Sequence, residues 1–187
     1  MPTEEYLSLA IREFQRLKRL GDRAIAQVPA DRFLTKPGDS DNCIGVIVKH
    51  VSGNLLSRWT DFLSSDGEKP GRRRDNEFII LPEDSREGLL ARWEEGWAVL
   101  FKNLGPLGSS NLGRSVTIRG EPVTVLQAVN QGLTHCAYHI GQIVYLAKHF
   151  AGARWKSLSI PLGESERYNQ ASRKKAETGG SAPTGGV

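Results

Sequence analysis

Apolar residues recur at three- and four-residue intervals through four stretches of the chain, the spacing that gathers side chains on one face of an α-helix. The first stretch runs from Thr3 to Gln27, with Tyr6, Leu9, Ala10, Phe14, Leu17, Leu20 and Ala24 on one stripe and Pro29 closing it. The second runs from Asn42 to Leu63, with Ile44, Ile47, Val48, Val51, Leu55, Trp59 and Phe62 on its stripe. Asp41 or Asn42 is placed to cap it, because a short side-chain oxygen accepts from the free N–H groups of a first turn. The third runs from Ser85 to Leu104 behind the start signal Pro82, Glu83, Asp84 and Ser85, and carries Leu89, Leu90, Trp93, Trp97, Leu100, Phe101 and Leu104. The fourth, Thr124 to Phe150, spans about 40 Å at 1.5 Å per residue and ends at Gly152. Its stripe is wide, as in a helix buried on most sides.

Between these stretches the pattern changes. Residues 115–124, SVTIRGEPVT, alternate apolar and polar around RGEP and predict a small β-hairpin ahead of the last helix. Residues 64–82 are long for a connection between helices, and long loops often serve as lids or partner surfaces. From Gln170 the chain is polar and rich in Gly and Ser, which predicts a disordered tail over 170–187. The expected architecture is therefore all-α: one four-helix bundle domain over residues 1–169 with a hairpin before the last helix, followed by that tail.

Composition adds limits. A chain of 187 residues can bury a core as one domain. No apolar run approaches the roughly 20 residues that span a bilayer, and the N-terminal stretch lacks a basic segment followed by an apolar one. A cytoplasmic protein without membrane contact is expected. Cys43 and Cys136 form no CxxC pair and lie in apolar patterns, so cysteine-based zinc or redox chemistry has no support. The net charge of +4 is concentrated in two short clusters, Arg72 to Arg74 and Arg173 to Lys175. Short basic clusters usually form solvated surface, so nucleic acid is not the expected partner.

The candidate chemistry lies in LTHCAYHIGQIVYLAKHF, residues 133–150, which holds three of the four histidines. His135 and His139 are four apart, so their imidazoles share one helix face and can meet one ion, although two histidines at this spacing also occur as packing residues. His50, beside the apolar stripe of the second helix, can aim a third imidazole at the same point. Three histidines leave a coordination position open, the pattern of catalytic zinc sites. HExxH is absent because Cys136 follows His135, and no Glu stands three residues before these histidines, so metalloprotease and di-iron motifs do not apply. His149 lies about 15 Å beyond His139 along the axis and suits the C-terminal end of the helix dipole instead. No Asp or Glu occurs from Cys43 to Thr60 or from Pro122 to Phe150. Any carboxylate that orients an imidazole must therefore come from the first or third helix or from a loop; otherwise backbone carbonyls or a side chain such as Gln131 take that role. An ion held by three neutral ligands keeps its full charge and favours activation of a water or a thiol, and the missing acid favours the thiol. Asn54, Arg58 and Gln142 stand within one or two turns of these histidines as candidate pocket residues, and Trp59, Trp93 and Trp97 are at core spacing.

GVIVKHVSGNLLSRWTDFL and TVLQAVNQGLTHCAYHIGQIVYLAKHF together resemble the DinB / YfiT-like superfamily, in particular a branch of small bacterial proteins of unassigned function. The resemblance spans about Thr3 to Leu158. It implies a four-helix bundle, commonly a homodimer, with one divalent metal ion, often nickel or zinc, on His50, His135 and His139. Relatives include transferases that use low-molecular-weight thiols, a mycothiol-dependent isomerase and proteins described as metal-dependent hydrolases. The alternatives for this chain are a non-catalytic metal-binding or partner-binding helical bundle and, less favoured, a DNA-associated protein.

Overall fold

The computed structural model describes residues 2–178. Among these residues are five α-helices and one two-stranded sheet: α1 (Pro2–Ile25), α2 (Ile44–Trp59), α3 (Arg86–Leu104), β1 (Ser115–Ile118), β2 (Glu121–Thr124), α4 (Val125–Ala151) and α5 (Ser165–Glu177). The chain is mostly helical. α2 lies against α3 and α1 against α4, while α2 also meets α4 and α1 meets α3. Among the described residues no helix is long and apolar enough to cross a membrane.

The predicted stripes face inward, and each apolar side chain they bury contributes about 1.5–3 kcal/mol. Phe14 of α1, Trp59 of α2, and Trp93 and Trp97 of α3 are fully buried and meet edge to face, with Phe14 6.2 Å from Trp59 and Trp93 5.5 Å from Trp97. On α1 the stripe is shifted from the expected one. Leu7 is buried and Leu9 is 46% exposed, because the face that meets α4 continues through Ala10, Phe14 and Leu17. α2 is enclosed on nearly every side, since α3, α4 and the following loop all pack on it.

Helix starts follow the local chemistry. Ser85 accepts from Gly88 N–H at the start of α3, and Thr124 accepts from Gln127 N–H at the start of α4, with Gln127 bonding back to the Thr124 N–H. α2 departs from expectation: Cys43, not Asp41 or Asn42, is its cap, and the Cys43 sulfur accepts from Val46 N–H at 3.4 Å.

The hairpin forms as predicted. Val116 pairs with Val123, and Arg119 and Gly120 make the turn with φ of 55° and 78°. Glycine adopts that left-handed conformation without steric cost. The C-terminal segment is a correction: from Gln170 to Glu177 it continues helix α5 rather than being irregular. Its helix formers and the bonds from Arg167 to Glu164 and from Gln170 to Glu166 explain this. Its polarity means only that no described α5 side chain is buried. The rest of the expected tail, residues 179–187, lies outside the described residues.

Candidate metal centre

His50 projects from the middle of α2 towards the face of α4 that carries His135 and His139. The four-residue spacing on α4 stacks its two imidazoles one turn apart, with ring centres 4.6 Å apart. His50 lies 5.2 Å from the His135 ring and 4.8 Å from the His139 ring. One nitrogen from each of the three falls within 4.8 Å of the others, so the three lie close enough to bind one metal ion. His50 and His139 are buried, and His135 is half-buried.

The outer nitrogens decide which atoms face inward. His50 Nδ1 is 2.8 Å from the Glu77 carboxylate, and His139 Nδ1 is 2.9 Å from Gln142 Oε1. Both partners are acceptors here, so each Nδ1 carries the proton and donates outward. That makes Nε2 the lone-pair nitrogen of both His50 and His139. His50 Nε2 in turn lies 3.1 Å from His135 Nε2. Tetrahedral coordination at 2.0–2.1 Å holds ligand nitrogens about 3.3 Å apart, so this spacing suits a shared ion. Burial first, and then the neighbouring imidazoles, pull His135 down to about 3; burial likewise pulls His139 down to about 4. Near neutral pH both are uncharged, the state a metal ligand requires. The donor set fits a divalent cation.

Glu77 was not named from the sequence, and it answers where the orienting carboxylate comes from. It sits in a 3-10 turn, Arg74–Phe78, inside the long loop, 27 residues from His50 in the chain. Arg72 grips it with two bonds of 2.8 Å, Nε to Oε1 and Nη2 to Oε2, and also reaches Glu68 at 3.1 Å. Burial alone would raise the Glu77 pKa, but the Arg72 and His50 contacts hold it below the usual carboxylate range. The Phe78 ring lies 4.7 Å from the His50 ring, and the Arg74 guanidinium lies over Phe78. On α4, Tyr138 lies 4.1 Å from the His139 ring.

The loop is itself anchored. Ser57 Oγ donates to Gly67 O and accepts from Lys69 N–H, while Gly67 N–H donates to Thr117 O of β1. Asp66 accepts from the Arg119 and Gly120 N–H groups of the hairpin turn, and Lys49 donates to Ile79 O. The basic cluster read as solvated surface is therefore divided: Arg72 is buried in this network, and only Arg73 and Arg74 are exposed. A nucleic-acid surface built on all three arginines has lost its first member.

The other candidates fall as follows. Gln142 holds His139. Asn54 is buried one turn beyond His50 on α2. Arg58 is half-buried and donates to Gln131 Oε1 at 3.2 Å across the α2–α4 interface, so Gln131 bridges helices and bonds no imidazole. His149 is exposed in the last turn of α4 and takes no part in the cluster. Trp59, Trp93 and Trp97 are core.

Fold and site together define a mostly helical protein with a three-histidine cluster between two helices, braced by a loop carboxylate. Residues 2–164 match the family described as protein of unknown function (DUF1572), and the chain belongs to that family. No curated protein matches it.

Proposed function

We propose that this chain is a metal-dependent enzyme of the thiol-dependent transferase or hydrolase type, with His50, His135 and His139 holding one divalent ion. The supporting observation is the convergence of three buried or half-buried imidazoles whose outer protons on His50 and His139 are already engaged. A bound ion would supply Lewis acidity that lowers the pKa of a thiol or water. The residues do the rest. Glu77 fixes the His50 ring and its tautomer, and Gln142 does the same for His139. Glu77 is committed to Arg72 and His50, so it is not free to take a proton from a water molecule. That favours a thiol, which ionises with less help from a base. Cys136 is not that thiol: it is fully buried, and burial pushes it up to about 12. The thiol in this reading is a small molecule from solution.

The resemblance to DinB / YfiT-like proteins supports the same reading. It also supports a four-helix bundle formed by α1 to α4, nickel or zinc as the ion, and a homodimer. The substrate-pocket candidates in this reading are Asn54, Arg58 and Gln142.

Cobalt loading tests the thiol reading. Titration of cobalt-loaded protein with low-molecular-weight thiols should produce a sulfur-to-metal charge-transfer band. Cobalt bound at the histidines with no band for any thiol would overturn the thiol route and leave hydrolysis.

A further inference from the structure

Two cavities flank the histidine cluster, and each approaches it through the residue bonded to an outer nitrogen. A cavity of about 810 Å³ has Glu77 in its wall, and a cleft of about 710 Å³ has Gln142 in its wall. None of the three imidazoles lines either one. The first mixes five Lys and Arg residues with four Asp and Glu residues, several of them already paired, such as Lys49 with Asp84 and Arg72 with Glu77. It has no clear charge preference.

The second cleft is different. It lies between the loop ahead of α2 and the outer side of α4, and among the described residues its wall contains no Lys or Arg in a chain that has 25 of them; His149 is its basic side chain. Its one carboxylate is Asp41, which among the described residues makes no side-chain hydrogen bond or ion pair. Tyr138 and Tyr145 stand on the opposite wall two turns apart, 57% and 76% exposed, and Leu146 adds apolar surface. Aromatic faces carry negative potential, so two tyrosine rings and an unpaired carboxylate across an apolar floor form a cation-selective surface. An anion placed here would meet Asp41, with His149 as the one basic side chain among the described residues of the wall.

We propose that this cleft binds an organic ammonium ion with an apolar body, its charge held by Asp41 and the faces of Tyr138 and Tyr145. Gln142 links the occupant to the metal centre. Its oxygen is committed to His139, so its amide N–H groups are left to donate to an oxygen of the same ligand. This consequence rests on the metal-centre reading, whereas binding itself does not.

The test uses the metal-free full chain, so failure of the metal assignment and failure of this proposal are separable. Calorimetric titration with 2-phenylethylammonium is compared with 3-phenylpropionate, an anion of similar size. The ammonium should bind at least about tenfold more tightly, a difference of the size that one close charge contact and a cation–π contact supply. Asp41→Asn should remove most of that preference. Tyr145→Ala, at an exposed position, should weaken the ammonium several-fold. Equal affinity for the anion, an unchanged preference in Asp41→Asn, or no binding of the ammonium up to about 10 mM would overturn the proposal.

Discussion

Gly53 has no side chain, and the Glu77 carboxylate occupies the space one would fill. This single absence lets a loop residue reach His50 through the wall of α2, where a Cβ would overlap the carboxylate. Two substitutions separate this arrangement from simple packing. Glu77→Gln removes the charge that orients His50, and Gly53→Ala displaces the same carboxylate without altering a polar group. Each should weaken divalent metal binding by about 10–100-fold, as loss of an outer partner of a ligating histidine does. Competition with a chromophoric chelator measures this; wild-type affinity in both variants would contradict it. The imidazoles also set a pH dependence in the metal-free protein. In the unfolded chain His135 and His139 protonate near 6.5, but burial holds them at about 3 and about 4 in the fold. Between those values the unfolded chain binds more protons, so stability is fully present above about pH 6.5 and falls as pH drops towards 3. The depressed Glu77 acts in the same direction at the acid end. Urea midpoints measured from pH 7 to pH 4 should decline, and a flat profile would contradict the buried neutral imidazoles.

At the scale of elements, the 64–82 loop behaves as part of the site. Asp66 fastens it to the hairpin turn, so Asp66→Ala should speed amide exchange at Arg119 and Gly120. Unchanged exchange would show that the turn holds itself. The α2–α3 packing centres on buried tryptophans, and Trp97→Ala should cost about 3–5 kcal/mol in denaturant unfolding. A cost below about 1 kcal/mol would mean the site collapses to fill the space. α5 buries no described side chain, so truncation after Glu164 should leave the unfolding midpoint nearly unchanged. The four long helices and the hairpin were legible because their periodicity is strong and Ser85 and Thr124 mark the starts of α3 and α4. So were His50, His135 and His139, since spacing on two helices limits where an imidazole can point. Glu77 was not legible. Its partner lies 27 residues away, and its position depends on Arg72, Gly53 and the hairpin, a set of contacts with no local signature. The lack of acids on α2 and α4 could say only that the carboxylate, if one existed, came from elsewhere. α5 was missed because polarity reports on burial and not on helix formation.

Helices α2 and α4 bring three imidazoles to one point, and a loop anchored on the hairpin reaches back across α2 to orient one of them. Chain segments far apart in sequence thus converge on a cluster that fits a single ion. Metal content by elemental mass spectrometry, on untagged protein prepared without a metal-affinity column and compared with His135→Ala, tests this most directly. The account predicts about one divalent ion per chain, as an open three-histidine site requires, and its loss in the variant. No ion in the wild type, and none taken up on reconstitution, would contradict it and return the three histidines to packing roles.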